Sequence, residues 1–334
     1  MDKTDIISRL QTKEILGLKN IRFRPLKGGV SSDIFVASDG ENKVVVKQAL
    51  NKLKVADEWF ADPARNRIEQ VFIQHVKTFL PGFVPDVLYT DKEDNFFVME
   101  FLGPSFSSWK EQLLNGIYDP RIAGKTAGYL ADLHIQTSDD PQAETRFRSN
   151  EHFISLRIEP YLITTGDRHP QLRKIYKDES ERLKQKRQAL IHGDFSPKNI
   201  MVSRDRVVLL DHEVACYGDP AFDVAFLLNH LFLKNLYHTG KTDQLPALVP
   251  LFWQTYYKKW PSHKMPPPEP ETVRLLLLLM LARVDGKSPV EYLVEKQQKF
   301  VRSFVYDMLH KKNFQLNEIH RAWNDEIKKQ FNEN

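Results

Sequence analysis

The sequence predicts an α+β protein in which a small N-terminal antiparallel sheet with one helix precedes a larger, mostly helical part. β-branched runs separated by turn residues fill roughly the first hundred positions. Apolar residues at helical spacing dominate after Phe106. A chain of 334 residues with 41% hydrophobic content has enough apolar side chains for two cores. We therefore expect a first domain at residues 1–102 and a second at residues 103–334.

Local signals mark each N-terminal element. The runs "DIFVAS" and "KVVVKQ" are typical of strands, and "DGEN" between them predicts a hairpin. "DPARNRIEQVFIQHVKTFL" has apolar residues at helical spacing, with Asp62 as its cap and Pro63 in its first turn. "DVLYTDKEDNFFVMEFL" predicts two further strands around a charged turn.

The C-terminal part shows helical patterns almost throughout. "RIAGKTAGYLADLHIQT" carries an apolar stripe, and "GDPAFDVAFLL" begins another helix. The run "LLLLLMLA" is much shorter than the roughly 20 residues of a membrane span, so it predicts a buried helix. The charge run "RLKQKRQ" is expected to form a solvated helix face.

The composition of the chain indicates which kinds of partner and which cellular compartment to expect. A net charge of +4 is small for this length and does not indicate nucleic-acid binding. The single cysteine, Cys216, excludes an internal disulfide and suits a reducing compartment, so we expect a cytoplasmic protein. The N-terminal residues start acidic and lack an apolar core, so neither a signal peptide nor membrane association is expected.

The stretch "LIHGDFSPKNIMVSRDRVVLLDHE" concentrates polar groups between apolar runs that predict buried strands. Asp194 and Asn199 lie five residues apart, and Asp211 ends the next strand. Magnesium takes oxygen ligands, usually one or two carboxylates together with phosphate oxygens. A further carboxylate is needed to orient an attacking hydroxyl and accept its proton. The pattern therefore predicts a metal and phosphate site, and the alternative is a polar hairpin without chemistry.

The glycine- and serine-rich turn "LKGGVSSDIF" is a candidate phosphate-binding turn in the N-terminal part. Its backbone amides near Gly29, Ser31 and Ser32 could approach phosphates, although an ordinary hairpin turn has the same composition. The connector "VMEFLG" offers the backbone of Glu100, Phe101 and Leu102 to an adenine edge, or it is simply a core strand.

Lys47 ends a run of β-branched residues, where its side chain points either to solvent or into a cleft. A buried lysine needs a counter-charge. Glu69 on the following helix is one candidate partner, and Glu58 is another.

"HGDFSPKN" followed by "LLDHE" resembles the aminoglycoside phosphotransferase and choline kinase superfamily of small-molecule kinases, which have a bilobal protein-kinase-like fold. The resemblance covers nearly the whole chain, because the other motifs occur in the family order. Two features differ from protein kinases: Ser196 stands where a lysine is usual, and a helix begins soon after Asp211, which leaves no room for a peptide platform.

The resemblance implies a role for each matching residue. Asp194 is the catalytic base, Asn199 and Asp211 bind Mg²⁺, and Lys47 paired with Glu69 holds the phosphates of ATP. Three further residues have supporting roles. Glu213 lies just beyond the direct ligands of the metal or shapes the acceptor pocket. His192 braces the loop by hydrogen bonds, and Asp223 anchors the loop from a helix. The expected reaction moves the γ-phosphate to a hydroxyl of a small molecule.

The acceptor is less constrained by the sequence. Arg283, Asp285 and Lys287 either line its pocket or cap a helix end. An aromatic set could form a cage for a quaternary ammonium or belong to the core; it comprises Trp253, Tyr256, Tyr257 and Trp260. No acidic excess follows residue 214, which disfavours a polycationic aminoglycoside. A sugar, a nucleoside-like compound and an amino alcohol all remain candidate acceptors.

Two other functions are alternatives to a small-molecule kinase. One is a non-catalytic nucleotide-binding regulatory module, and the other is a protein kinase.

Overall fold

The fold is taken from a computed structural model that describes residues 3–17, 21–26, 32–49, 65–91, 96–239, 242–312 and 314–331. The chain divides into two compact units. The N-terminal unit comprises Met1–Phe106 together with Val208–Val214, and the C-terminal unit comprises Ser107–Val207 and Ala215–Asn334. The domain boundary expected at residue 102 stays a prediction.

Within the described residues, the N-terminal unit contains a five-stranded antiparallel sheet in the order β1-β2-β3-β5-β4. Its strands are β1 Arg22–Pro25, β2 Ser32–Ser38, β3 Lys43–Ala49, β4 Val87–Asp91 and β5 Phe96–Glu100. Its helices in the described residues are α1 Lys3–Thr12 and α2 Arg65–Lys77. The sequence predicted one helix here, and α1 is a second one. The proposed cap of α2 at Asp62 and Pro63 lies outside the described residues.

The predicted hairpin between β2 and β3 is confirmed, and its turn shows why "DGEN" forms it. The carboxylate of Asp39 accepts hydrogen bonds from the backbone N–H groups of Glu41 (3.0 Å) and Asn42 (2.7 Å). Gly40 between them has a φ of +104°, a conformation that favours glycine. Local side-chain chemistry therefore fixes the turn.

Strand β3 is buried on both faces, and its alternation sets the direction of Lys47. Val44 and Val46 pack in a cluster with Ile6 and Leu10 of α1. Because successive strand residues point to opposite faces, Lys47 points away from that cluster.

In the C-terminal unit, helices make up most of the described residues. They are α3 Trp109–Leu114, α4 Pro120–Thr137, α5 Pro141–Arg146, α6 Glu151–Phe153, a π-helix at Ile154–Ile163, α7 Thr164–Arg168, α8 Arg173–Gln185, α9 Ala221–Tyr237, α10 Gln244–Lys258, α11 Glu269–Asp285, α12 Glu295–Lys311 and α13 Leu316–Phe331. The leucine run lies inside α11 and is buried, as predicted. In the part of the chain that the structure describes, no helix is both long and apolar enough to cross a membrane.

Short strands interrupt these helices where the charged stretch lies. They are β6 Ser107–Ser108, β7 Ala189–Ile191, β8 Ile200–Val202, β9 Val207–Leu209 and β10 Cys216–Gly218. Strand β7 pairs with β10, and β6 pairs with β8, both antiparallel. The sequence predicted the strands that became β8 and β9. Together, β7, β8 and the start of α9 frame the catalytic-loop candidate.

The charge run "RLKQKRQ" is not the solvated face that we expected. Arg182 at the end of α8 is only 16% exposed and donates to the buried carboxylates of Glu179 and Asp219. Lys186 also lies near Asp219, at 3.4 Å. The basic residues of this run neutralise buried carboxylates. The order of charges along the sequence does not reveal these tertiary contacts.

Candidate active site

A buried lysine lies between two carboxylates in the N-terminal unit. Nζ of Lys47 is 2.7 Å from Oε2 of Glu69 and 2.6 Å from Oδ1 of Asp211. Burial alone would lower the pKa of Lys47, but the neighbouring carboxylates, Asp211 first, hold that pKa above its usual range. Lys47 is therefore a fixed cation that points into the site from β3.

The same unit holds more negative than positive charge around Lys47. Glu213 is 5% exposed and adds a third carboxyl group that acts on this ammonium. His212 is neutral at ordinary pH, because burial and the charge of Lys47 lower its pKa to about 3. Burial also raises the pKa of Glu69. One ammonium thus faces three carboxyl groups, so an additional cation would be electrostatically favoured here.

The backbone at Asp211 has a specific shape. Its φ of +67° lies in the left-handed region, which is uncommon for non-glycine residues and which aspartate adopts more readily than most. Just before it, the N–H of Leu209 donates to the carbonyl of Phe83 (2.7 Å), which holds the end of β9 in place. The carboxylate of Asp211 is 25% exposed, so it remains accessible to a ligand.

The loop that carries Asp194 is anchored from α9 in the C-terminal unit. The buried carboxylate of Asp223 accepts hydrogen bonds from the N–H groups of His192 (2.7 Å) and Gly193 (2.9 Å). The N–H of Asp194 donates to Nδ1 of His192 (3.1 Å). Gly193 has a φ of +76°, which suits glycine. These contacts are the bracing by His192 and the anchoring by Asp223 that the sequence suggested.

Two side chains orient the carboxylate of Asp194. Nδ2 of Asn199 donates to its Oδ2 (2.8 Å) and to its backbone carbonyl (3.0 Å). Nη2 of Arg157 lies 2.8 Å from Oδ2, and Nε of Arg157 donates to the carbonyl of Gly193 (2.9 Å). Sequence reasoning missed Arg157, which lies on the π-helix. Asp194 is thus held in one direction by charge-assisted hydrogen bonds.

Each of the two predicted metal ligands, taken by itself, offers an oxygen donor. Because the amide nitrogen of Asn199 is turned to Asp194, its carbonyl oxygen is left as a ligand donor. Asp211 supplies carboxylate oxygens, and hard oxygen donors are what Mg²⁺ takes. The described residues contain no group of three or more His, Cys, Asp or Glu side chains that could hold a metal. Mg²⁺ typically uses few protein ligands and completes its shell with water and phosphate oxygens.

A sequence model described as the phosphotransferase enzyme family matches residues 22–263, which is most of the chain. The chain belongs to the phosphotransferase enzyme family. The predicted resemblance to the superfamily of aminoglycoside and choline kinases is thereby confirmed.

The curated relatives that this chain resembles include proteins named methylthioribose kinases. Methylthioribose kinase 1 of Oryza sativa subsp. japonica is 25% identical over 68% of this chain and 58% of that protein. The methylthioribose kinase of Exiguobacterium sibiricum is 29% identical over 75% of this chain and 72% of that protein. The match therefore spans less than two thirds of the rice protein.

A solved choline kinase has a similar fold. The protein from Cryptosporidium parvum Iowa II aligns with a TM-score of 0.53 and 12% identity, over 99% of this chain and 96% of that one. The predicted α+β fold class, with an N-terminal antiparallel sheet and a mostly helical remainder, is confirmed.

The structure describes only some of the other residues that were predicted to bind the nucleotide. Gly29 and Ser31, like Glu58, lie outside the described residues, whereas Ser32 is buried at the start of β2. Oε1 of Glu100 accepts from the N–H of Asp86 (3.0 Å) at the end of β5. Phe101 and Leu102 follow it, half-buried. Their contribution to nucleotide binding stays a prediction.

The acceptor-site candidates in the C-terminal unit have separate partners. Arg283 donates to the hydroxyl groups of Tyr161 (3.1 Å) and Ser288 (2.9 Å). Asp285 is instead held by Arg302 (2.7 and 2.8 Å) and His169 (2.9 Å), which ties the end of α11 to α12 and to the residue that follows α7. The structure does not bring Arg283 and Asp285 into one cluster.

The aromatic set on α10 and just after its end has core contacts. The hydroxyl of Tyr256 is buried and lies 2.8 Å from Nδ1 of His134. Tyr257 donates to the carbonyl of Pro267 (2.9 Å), and Trp260 stacks edge-on against Tyr256. These contacts favour the core interpretation of the aromatic set over a cage for a quaternary ammonium.

Proposed function

We propose that this chain is an ATP-dependent phosphotransferase that moves the γ-phosphate to a hydroxyl of a small molecule, with Mg²⁺ as the metal. The observation that carries the proposal is the buried contact of Lys47 with Glu69 and Asp211. A buried cation held by a helix glutamate is the arrangement that kinases use to bind nucleotide phosphates. The surplus of carboxyl groups around Lys47 supports the choice of a divalent metal as the cofactor.

The two units contribute different groups to the proposed reaction. Lys47 neutralises phosphate charge, and Asp211 is a proposed Mg²⁺ ligand; the resemblance implies the same role for Asn199. Mg²⁺ supplies charge neutralisation at the phosphates when bound. Asp194 orients the acceptor hydroxyl and receives its proton. Arg157 and Asn199 fix the direction of that carboxylate. Most of the rate enhancement would come from positioning and electrostatics.

A sugar-like acceptor is the preferred substrate class. The relatives named methylthioribose kinases support it. The core contacts of the α10 aromatic residues disfavour choline-type recognition. Ser196, buried where protein kinases have lysine, disfavours a peptide acceptor.

The test is nucleotide consumption with Mg²⁺ across a panel of sugars, including methylthioribose, and of amino alcohols, nucleosides and aminoglycosides. Acceptor-dependent turnover by the wild type, lost in Asp194→Asn, is the expected result. Nucleotide binding without turnover on any acceptor would favour the regulatory module instead. Autophosphorylation or labelling of peptides would favour a protein kinase.

A further inference from the structure

Helix α9 buries a lysine, Lys234, among side chains of mostly positive charge. Lys234 is 1% exposed, and its Nζ lies 5.2 Å from the centre of the Tyr292 ring. In the part of the chain that the structure describes, no carboxylate forms an ion pair with it. Burying a charge without a partner is strongly unfavourable, so such a group is rarely kept without a reason.

Three polar atoms on side chains close to Lys234 lack hydrogen-bond partners within the described residues. Among the described residues, no hydrogen-bond partner is present for Nε of Arg283, the hydroxyl of Tyr292 or Nδ1 of His230. His230 lies one turn before Lys234 on α9, and Arg283 lies in the last turn of α11. Donors left unsatisfied in a buried place indicate a ligand whose acceptors they would meet.

This cationic cluster, comprising His230, Lys234, Arg283 and Tyr292, lies near the catalytic loop of the same unit. Lys198, four residues after Asp194, contributes to the positive potential at His230. The π-helix gives a second link: Arg157 contacts Asp194, and Tyr161 one turn later accepts from Arg283. A ligand in the cluster would therefore be close to the carboxylate that receives the acceptor's proton.

The charges around Lys234 are almost all positive. Burial, followed by the charges of Lys110 and Arg283, lowers the pKa of Lys234 to about 7. Glu291 opposes this, but it is largely exposed and already paired with Lys110. An anion would supply the missing counter-charge and favour the ammonium form of Lys234.

We propose that the acceptor carries an anionic group, a carboxylate or a phosphate ester, and that Lys234, Arg283 and Tyr292 bind it. This inference rests on the proposed phosphotransferase function, and it narrows the acceptor from a sugar-like alcohol to an acidic one. Arg283 Nε and the Tyr292 hydroxyl donate to the anion's oxygens, and Lys234 provides the charge.

Matched acceptors test the proposal directly. Neutral sugars such as ribose would be compared with the corresponding aldonic acid and with the monophosphate ester, by kcat/KM for nucleotide consumption. The expected preference for an anionic form is roughly 100-fold or more, since one desolvated charge contact is worth that much. The acid and the ester distinguish a carboxylate site from a phosphate site. A neutral sugar that is used as well as both anions would overturn the proposal.

Variants assign the preference to the cluster. Lys234→Met should lower the preference about tenfold or more through KM, with KM for ATP unchanged. Lys258→Met, which removes an exposed lysine on α10, should change neither. A preference that persists in Lys234→Met would place anion recognition elsewhere.

A binding measurement separates this proposal from the proposed function. Calorimetric titration of Asp194→Asn with the aldonic acid or the sugar phosphate, in two buffers of different ionisation enthalpy at about pH 8, should show proton uptake on binding. The uptake should vanish when Lys234→Met is added. Lys234-dependent binding without turnover in the wild type would sustain the anion site and refute the phosphotransferase. Absence of both binding and proton uptake would refute the anion site.

Discussion

Lys47 is the residue on which the nucleotide site depends most. Lys47→Met leaves the buried Glu69 and the partly exposed Asp211 without their shared ammonium, so kcat/KM for ATP should fall by about 100-fold or more. The free energy of unfolding should also fall, by roughly 3–5 kcal/mol, because breaking a buried ion pair leaves uncompensated charge. Steady-state kinetics and urea denaturation measure the two effects. Lys13→Met, at an exposed position of the same unit, is the matched control.

Arg157 should act through the direction of the Asp194 carboxylate. Lysine cannot reproduce its two simultaneous contacts, so Arg157→Lys should lower kcat roughly 10- to 100-fold. KM for ATP should stay the same, because the contacts of Arg157 are to the catalytic loop. Arg148→Lys, at an exposed site, is the control for the general effect of replacing an arginine by a lysine. An increase in KM for ATP with normal kcat would show that Arg157 serves nucleotide binding instead.

The residues of the site differ in how visible they are in the sequence. Asp194, Asn199 and Asp211 lie within one short stretch, so their spacing alone predicts a metal and phosphate site. Arg157 contacts Asp194 from a separate helix, and no local pattern connects the two. The cluster around Lys234 is still less visible, because a lysine in an apolar helix is also typical of an exposed position.

At the level of elements, α9 holds the catalytic loop by its first turn. Asp223→Asn keeps the size of the side chain but presents an NH₂ group where one of two backbone donors now bonds. The free energy of unfolding should fall by about 1–3 kcal/mol, and kcat should fall with it. Hydrogen exchange at the amides of His192 and Gly193 should accelerate. Asp178→Asn, on the exposed side of α8, should leave these amides unchanged.

Helices and strands with clear local sequence patterns were predictable. Those that depend on tertiary contacts were not. The β2–β3 hairpin follows from Asp39 and Gly40 in its turn, and the leucine run predicts α11. Strand β1 is short and mostly exposed, and it is defined by pairing with β2. The π-helix at Ile154–Ile163 contains Pro160, which would argue against a helix from sequence alone. Packing against α8 and α11 stabilises what the local sequence does not specify.

For the whole molecule, buried basic groups should dominate the pH dependence of stability from neutrality up to about pH 9, above which the raised pKa of the buried Cys216 thiol opposes them. The pKa of Lys234 is about 7 in the folded chain, against an ordinary 10.5, because of burial and the charges of Lys110 and Arg283. Between these values the unfolded chain binds a proton that the folded chain does not, so the free energy of unfolding rises with pH. His230 has a lowered pKa for the same reasons, with burial the main one, and acts in the same sense below its ordinary 6.5.

The variant Lys234→Met should therefore be more stable than the wild type at neutral pH, by roughly 3–5 kcal/mol before lost ring contacts are subtracted. The difference should shrink towards pH 10.5 as the unfolded wild type loses its proton. Urea denaturation of both proteins across this range measures it, and titrations common to both cancel in the difference. A constant difference would mean that Lys234 stays charged in the folded protein. A lysine that destabilises the unliganded chain but binds the acceptor is what a trade between stability and activity predicts.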